Sequence, residues 1–349
     1  MADLDRYQRQ TLLPQIGQAG QARLLRARVL LAGCGALGTV VAEQFVRCGV
    51  GTLRIADRDI VELSNLQRQV LFDEEDAREQ APKAIAAARR LRRINSQIAV
   101  EPLVVDIHAA NVEDLVGVER AQEPVDLIVD GTDNVQTRYL LNDVSVKHQI
   151  PWIYGGCVGM QGRCMTISPP NTACLRCLFS QPPAAGDLPT CDTAGVFSAA
   201  AGMVAQLQVT AAMKILLGHL VSKEIVTIDL WQGRFRSVST INSKRPDCIT
   251  CGRRQFEFLD DHSASRSTGL CGRNAVQVHP GGSLSLDLKL LANKLCNVGA
   301  VCRTPYLLRC DLREPSEVRL TVFPDGRAII HGLSDIDRAR SIYARYIGS

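Results

Sequence analysis

The chain has 349 residues, 46% hydrophobic and 22% charged, with 40 lysines and arginines against 36 aspartates and glutamates. That ordinary globular composition excludes a disordered chain, and a net charge of +4 gives no electrostatic reason to expect nucleic acid as a partner. The polar start Met1-Ala2-Asp3-Leu4-Asp5-Arg6 lacks the apolar core of a signal peptide and no apolar run reads as a bilayer span, so a cytoplasmic protein without membrane contact is expected.

In chain order, residues 1–27 read as a helical arm carrying Arg6-Tyr7-Gln8-Arg9-Gln10. Val29 to Ala32 is a short apolar run, followed by Gly33-Cys34-Gly35-Ala36-Leu37-Gly38 and a helical pattern to Cys48. A second run, Thr52 to Ala56, ends on Asp57. Strand, glycine-rich turn, helix, strand and acid form the layout of a nucleotide-binding βαβ unit. Gly33 would permit the tight turn, Gly35 would let phosphate approach the backbone, and Gly38 would let the helix pack on the strand. The helix N-terminus presents free N–H groups to an anion, and Asp57 can accept from ribose hydroxyls. By itself this fingerprint indicates a nucleotide without saying which.

Further along, Ser64 to Gln69 reads as a polar loop, and Ala81 to Asn95 as a helix started near Pro82. A strand over 98–105, a helix over 109–118 and a buried strand over 125–129 lead to Asp130-Gly131-Thr132-Asp133-Asn134. A helix over 138–147 and a strand over 152–154 follow. Strands alternating with helices predict a parallel, doubly wound sheet. After Gly155-Gly156 come a strand over 162–168, a small-residue helix over 199–218 opened by Cys191 to Gly195, and a late antiparallel pair, 225–229 with 235–240. The expected fold is therefore α/β, Rossmann-like and mostly parallel, over residues 1–255. A linker over 256–268 and an α+β module over 269–349 complete it. In the module, strands at 275–278, 306–310, 318–323 and 328–331 and helices at 284–296 and 334–346 are expected, with a hairpin at Pro324-Asp325-Gly326.

Thirteen cysteines in a reducing compartment do not form a disulfide framework. Two Cys-x-x-Cys pairs, Cys174 with Cys177 and Cys248 with Cys251, supply the four thiolates of a tetrahedral structural Zn²⁺ site. Seventy residues separate the pairs, so the metal would clamp two distant segments. A redox dithiol would not explain two pairs. The other cysteines, Cys296, Cys302 and Cys310 among them, read as small apolar packers, and Cys191 is taken up below.

Between Asp57 and Asn134 lie polar residues that a hydride-transfer enzyme does not need. Ser64-Asn65-Leu66-Gln67-Arg68 places an amide and a guanidinium just after the ribose acid, Pro82-Lys83 an ammonium at a helix start, and Asp133-Asn134 a carboxylate at the carboxyl end of a strand. Arg68, Lys83 and Asn65 can cradle a triphosphate, and Asp133 can hold Mg²⁺. Each residue alone is more often a solvated surface group; their joint placement is what points to ATP.

These residues, with Arg6-Tyr7-x-Arg9-Gln10, Gly33-x-Gly35-Ala36-Leu37-Gly38, Thr132-Asp133-Asn134 and the two cysteine pairs, resemble the ThiF/MoeB/HesA family over residues 5–253. The resemblance implies a homodimer that uses ATP and Mg²⁺ to adenylylate the C-terminal glycine of a small ubiquitin-like sulfur-carrier protein, releasing pyrophosphate, in thiamine or molybdenum-cofactor synthesis. It further implies that Asp57 binds ribose, that Asn65, Arg68 and Lys83 contact phosphates, that Asp133 binds Mg²⁺ beside Asn134, and that Arg9 reaches the partner subunit's triphosphate. Cys191 matches a cysteine that can link covalently to the carrier, a role as well weighed against none, since adenylylation needs no thiol. Ala36 departs from the family's usual glycine. No rhodanese-type domain is recognisable, so sulfur would come from a sulfurtransferase or cysteine desulfurase in trans. The alternatives are an NAD-dependent oxidoreductase, a zinc-held scaffold without activity, and a tRNA-modifying dehydratase or peptide-adenylating enzyme of the same superfamily.

Overall fold

The computed structural model describes residues 4–118, 123–183, 191–260, 267–270, 274–278 and 286–348. The chain divides into two compact units, Met1–Asp260 and Asp261–Ser349.

The first unit is built on an eight-stranded sheet. Its strands are β1 (Arg28–Ala32), β2 (Thr52–Ala56), β3 (Ala99–Leu103), β4 (Leu127–Asp130), β5 (Trp152–Val158), β6 (Gln161–Ile167), β7 (Glu224–Asp229) and β8 (Arg234–Ser239). They lie in the order β3-β2-β1-β4-β5-β6-β7-β8. The first five are parallel and the last three run antiparallel. Side chains of β1 alternate between two cores. Val29 and Leu31 pack with helices Ala36–Cys48, Lys83–Ile94 and Ser198–Leu216, while Leu30 and Ala32 pack with Val112–Val116 and Val135–His148. A strand buried on both faces has no polar side to show, which is why it reads as an unbroken apolar run. The chain leaves β1 for β2 on one side and reaches β4 on the other, so the carboxyl ends of β1 and β4 bound the crevice where doubly wound sheets bind ligands.

The expected elements form with shifted ends. Pro82 caps the helix Lys83–Ile94, and Gly49, at φ 85°, closes the helix Ala36–Cys48. β5 runs on to Val158 because Gly155 to Val158 continue pairing with β6. The helix expected to open at Cys191 is two: Cys191–Ala194, then Ser198–Leu216, separated by Gly195 at φ 72°. The expectation that no segment could span a bilayer is also corrected, since Ser198–Leu216 is long and apolar enough by length and composition. Here it lies on the sheet against β4, β5, β6 and the helix Ala36–Cys48, burying Ala201, Val204, Ala205 and Ala212. The first unit also continues to Asp260: the short helix Glu257–Asp260 packs on Val135–His148 and buries Leu259.

The second unit is a six-stranded antiparallel sheet of β9 (Ser267–Leu270), β10 (Ala275–Val278), β11 (Gly299–Arg303), β12 (Leu308–Leu312), β13 (Arg319–Val322) and β14 (Ala328–His331), ordered β11-β12-β13-β14-β10-β9. Helices Leu288–Leu295 and Ile336–Tyr346 share one core with it, through Leu291, Leu295, Ala339 and Ile342 against Val276, Cys310, Leu320 and Ile330. The Asp325-Gly326 turn joins β13 to β14 as a hairpin. β9 and β11 were not expected, for neither carries a clear apolar alternation. Cys296 and Cys302 are exposed, not packed; Cys310 is buried.

Candidate functional site

The glycine-rich turn is a backbone-on-backbone joint. Gly33 adopts φ 88°, and a Cβ there would meet the Gly131 carbonyl at 2.8 Å. A Cβ on Gly38 would lie 2.1 Å from the Gly33 oxygen, and one on Gly131 2.4 Å from it. A Cβ on Gly35 would touch only the Gly131 oxygen, at 3.8 Å. The fold therefore demands glycine at 33, 38 and 131, whereas at 35 the chain leaves open space, as a phosphate approaching the backbone requires. Ala36 opens the helix immediately after.

Asp57 sits beneath this turn. Its Oδ2 accepts from the Cys34 N–H at 2.6 Å and its Oδ1 from the Asp59 N–H at 2.7 Å. Burial raises its pKa, opposed chiefly by Lys83. Lys83, itself buried, donates to Asp59 Oδ2 at 2.9 Å. Burial disfavours its charge, but Asp59, Asp57 and, further off, Asp133 more than offset that and hold its pKa above the usual lysine value. The ammonium is thus charged and fixed in place at neutral pH.

Asp133, in the turn after β4, is exposed and makes no hydrogen bond or ion pair among the described residues. Its charge also acts on Arg58 and Arg138. Asn134 is engaged differently: its Oδ1 caps the helix Val135–His148, accepting from the N–H groups of Gln136 (2.8 Å) and Thr137 (3.2 Å). Asparagine is among the preferred N-cap residues, so the signal lay in the sequence, hidden because the helix starts three residues before the expected Arg138.

The segment read as a loop at Ser64 to Gln69 is a short 3-10 turn, Leu63–Asn65, followed by further turns. Asn65 is buried with its Oδ1 accepting from the Glu62 N–H at 3.1 Å. Arg68 is half-buried and donates to the Ser64 carbonyl at 2.9 Å; Ser64 and Gln67 are exposed and Leu66 is half-buried. Arg9 is exposed and makes no hydrogen bond among the described residues, while nearby Tyr7 is buried with its hydroxyl accepting from Asn95 Nδ2 at 2.9 Å. Cys191 is the first residue of the short helix Cys191–Ala194.

Two features of the site have no signature in the sequence. Arg138 donates to the fully buried Asp130 (Nε–Oδ2 3.0 Å) and to the carbonyls of Thr132 (2.6 Å) and Gly155 (3.0 Å), tying the carboxyl ends of β4 and β5 together. Gln69 is buried with its Oε1 unpartnered among the described residues.

The four paired cysteines converge. Cys174 Sγ lies 3.8 Å from Cys177 and 3.6 Å from Cys248, and Cys177 lies 3.4 Å from Cys251. They form the one such metal-capable cluster among the described residues. A tetrahedral zinc ion with bonds of about 2.3 Å sets its sulfurs roughly 3.8 Å apart, so the cluster fits that ion. The helix Val135–His148 supports both cysteine loops from behind. Asn142 Oδ1 accepts from the Leu175 N–H at 2.8 Å, and Asp143 accepts from the Thr250 hydroxyl and the Phe258 N–H, each at 3.0 Å.

Burial pushes the Asp143 carboxyl up to about 6 despite those two hydrogen bonds. A raised carboxyl pKa means the folded state binds the proton more tightly than the unfolded state. The resulting stabilisation is complete below the unfolded value near 3.8 and is lost as pH rises through about 6. It amounts to at most about 3 kcal/mol. Melting curves between pH 5 and 8 should therefore show a steeper loss of stability in wild type than in Asp143→Asn, which has no proton to lose; equal slopes would exclude this account.

Residues 7–250 match the ThiF family. The chain is similar to the sulfur carrier protein ThiS adenylyltransferase of Bacillus subtilis, 44% identical over 98% of this chain and 99% of that protein. It is 37% identical to the adenylyltransferase and sulfurtransferase MOCS3 of Sus scrofa, over 88% of this chain and 69% of that one. Among solved structures, E. coli MccB with ATP superposes with a TM-score of 0.61 at 22% identity, over 72% of this chain and 75% of that one, which is a likeness of fold. The glycine joint, the buried acid–lysine pair and the cysteine cluster described above are thus set in a chain that belongs to the ThiF family.

Proposed function

We propose that this protein is an ATP-dependent adenylyltransferase that activates the C-terminal glycine of a ubiquitin-like sulfur carrier of the ThiS type, releasing pyrophosphate, on the thiamine branch. The observation that carries this reading is the 44% identity to the Bacillus subtilis enzyme over 98% of the chain, both units included. No hydride-transfer role exists for the Lys83, Arg68 and Asp133 set, and the dehydrogenase alternative is dropped with that family assignment.

ATP would lie with its phosphates at Gly33, Gly35, Ala36 and Gly38 and its ribose at Asp57. Lys83 and Arg68, with Asn65 and its neighbours Ser64, Leu66 and Gln67, would line the triphosphate, and Arg9 of the partner subunit in a homodimer would complete it. Mg²⁺ held at Asp133 beside Asn134 would neutralise the departing phosphates. A carrier carboxylate oxygen attacks the α-phosphorus, the bond to the bridging oxygen of the β-phosphate breaks, and pyrophosphate leaves with the electron pair. No general base is needed, because the nucleophile is already ionised. The protein contributes position and positive charge. Zn²⁺ at Cys174, Cys177, Cys248 and Cys251 is structural in this scheme. Sulfur then arrives from a sulfurtransferase or cysteine desulfurase in trans.

Two assays check this. Purified Bacillus subtilis ThiS with ATP should give carrier-dependent pyrophosphate, and no release would sink the proposal. Cys191 would act only afterwards, its thiolate attacking the acyl carbonyl and displacing AMP. Cys191→Ser should thus keep pyrophosphate release within about threefold of wild type while removing any thioester adduct seen by mass spectrometry.

A further inference from the structure

We infer that Gln208 and Asp130 are positioning residues for the metal-binding acid: they fix the turn from Asp130 to Thr132 from within the sheet, so that Asp133 is held ready for Mg²⁺. This rests on the adenylyltransferase reading above, which places Mg²⁺ at Asp133.

The pairing of β4 with β5 stops at Val129 and Ile153, and beyond it β5 pairs with β6. The carboxyl ends of β4 and β5 are joined instead by side chains from opposite faces of the sheet. On one face, Gln208 of the helix Ser198–Leu216 donates its Nε2 to the carbonyls of Asp130 (2.7 Å) and Ile153 (3.4 Å). It lies against bare backbone, for a Cβ on Gly155 would come within 2.3 Å of that nitrogen. On the other face, Arg138 donates to the carbonyls of Thr132 and Gly155. The fully buried Asp130 carboxylate joins the two: Oδ1 accepts from the Thr132 N–H (2.9 Å) and hydroxyl (2.7 Å), and Oδ2 from Arg138. The Gly131 N–H donates to the Ala32 carbonyl at 2.7 Å, tying the turn to the end of β1.

The three residues before Asp133 are thus held from two helices and a strand at once. Asp133 itself is exposed and makes no hydrogen bond or ion pair among the described residues, so its place is set by this turn. Packing does not explain Gln208. It is fully buried on a helix face otherwise made of Ala201, Val204, Ala205 and Ala212, and its Oε1 has no partner among the described residues. A half-satisfied amide in a core costs free energy that methionine, of similar shape, does not. What the amide adds is its grip on the Asp130 carbonyl. Groups that orient a metal-binding side chain from behind set its affinity for the ion without touching it.

Calorimetric titration of the full-length protein with ATP, with and without Mg²⁺ and with no carrier present, reads the effect apart from turnover. Mg²⁺ should tighten ATP binding to wild type. Gln208→Met should reduce that tightening about tenfold while leaving the metal-free Kd within about twofold. Thr132→Val removes one bond to Asp130 and is the milder variant, with a reduction of about threefold; it decides the matter if Gln208→Met does not fold. Val204→Ala, on the same helix face but beside Gly162, should lower Tm and leave the tightening as in wild type. In an Asp133→Ala background, which lacks the tightening, Gln208→Met should change nothing further. Full tightening in Gln208→Met or Thr132→Val, an equal weakening of metal-free binding, the same loss in Val204→Ala, or a further change in the double variant overturns the inference. Wild type that binds ATP alike with and without Mg²⁺ overturns it together with the assignment of Mg²⁺ to Asp133, whereas carrier-dependent pyrophosphate release tests the adenylyltransferase reading separately.

Discussion

Asp133→Ala is expected to lower carrier-dependent pyrophosphate release by roughly a hundred- to a thousandfold, the scale on which single charge-stabilising groups act in transition states. It should do so without unfolding the protein. Asp133 is exposed, makes no hydrogen bond or ion pair among the described residues, and caps nothing, so its loss should change stability by no more than about 0.5 kcal/mol. Lys83→Ala makes the informative contrast. Its ammonium is the cation between Asp57 and Asp59, and removing it leaves buried carboxylate uncompensated, at a cost on the order of 3–5 kcal/mol. Lys83→Ala should therefore lose both activity and several degrees of Tm, whereas Asp133→Ala should melt like wild type. Calorimetry beside a pyrophosphate assay separates the two. Wild-type turnover in Asp133→Ala would remove that residue from the site.

Replacing Cys248 by serine, or stripping metal with a strong chelator, should produce the largest loss of stability available to a single change. Four thiol sulfurs 3.4 to 3.8 Å apart are a poor arrangement without a cation among them. Zinc stabilises small zinc-dependent domains by an apparent 10–16 kcal/mol or so; here a third of that would lower Tm by roughly 10 °C in a unit of this size. Metal analysis should find one zinc per chain in wild type and none in Cys248→Ser. The damage should also reach the nucleotide crevice, because the helix Val135–His148 carries Asn142 and Asp143 against the cysteine loops and has Asn134 at its other end. A Cys248→Ser protein with wild-type Tm would show that the cluster is not a structural metal site.

Much of the crevice was legible because its parts are local. Strand β1, the glycine turn and Asp57 are contiguous, and each glycine is compelled by backbone contacts within that unit or to Gly131. The cysteine pairs announce themselves by spacing alone. What stayed hidden depends on segments brought together by the sheet. The sequence marks Lys83 as a phosphate cation, but its buried ion pair exists only because the end of β2 places Asp59 beside it. Asn134 reads as a ligand residue until the helix needs a cap. Edge strand β11 eluded the pattern because its Ala300, Cys302 and Arg303 carry no apolar alternation; Cys302 lies exposed on it, and Cys296 is exposed at the end of the helix Leu288–Leu295.

By itself, then, the order of residues determined the family, the nucleotide turn and the thiol quartet, since these depend on short-range geometry and on residue chemistry that no neighbour can replace. Only the tertiary structure decided the pairing of Arg138 with Asp130 and the placing of Lys83 beside Asp59 and Asp57, whose charges keep it ionised in spite of its burial. Those properties depend on which strand ends lie side by side and on how much water remains between them, and neither is encoded at any single stretch of the chain.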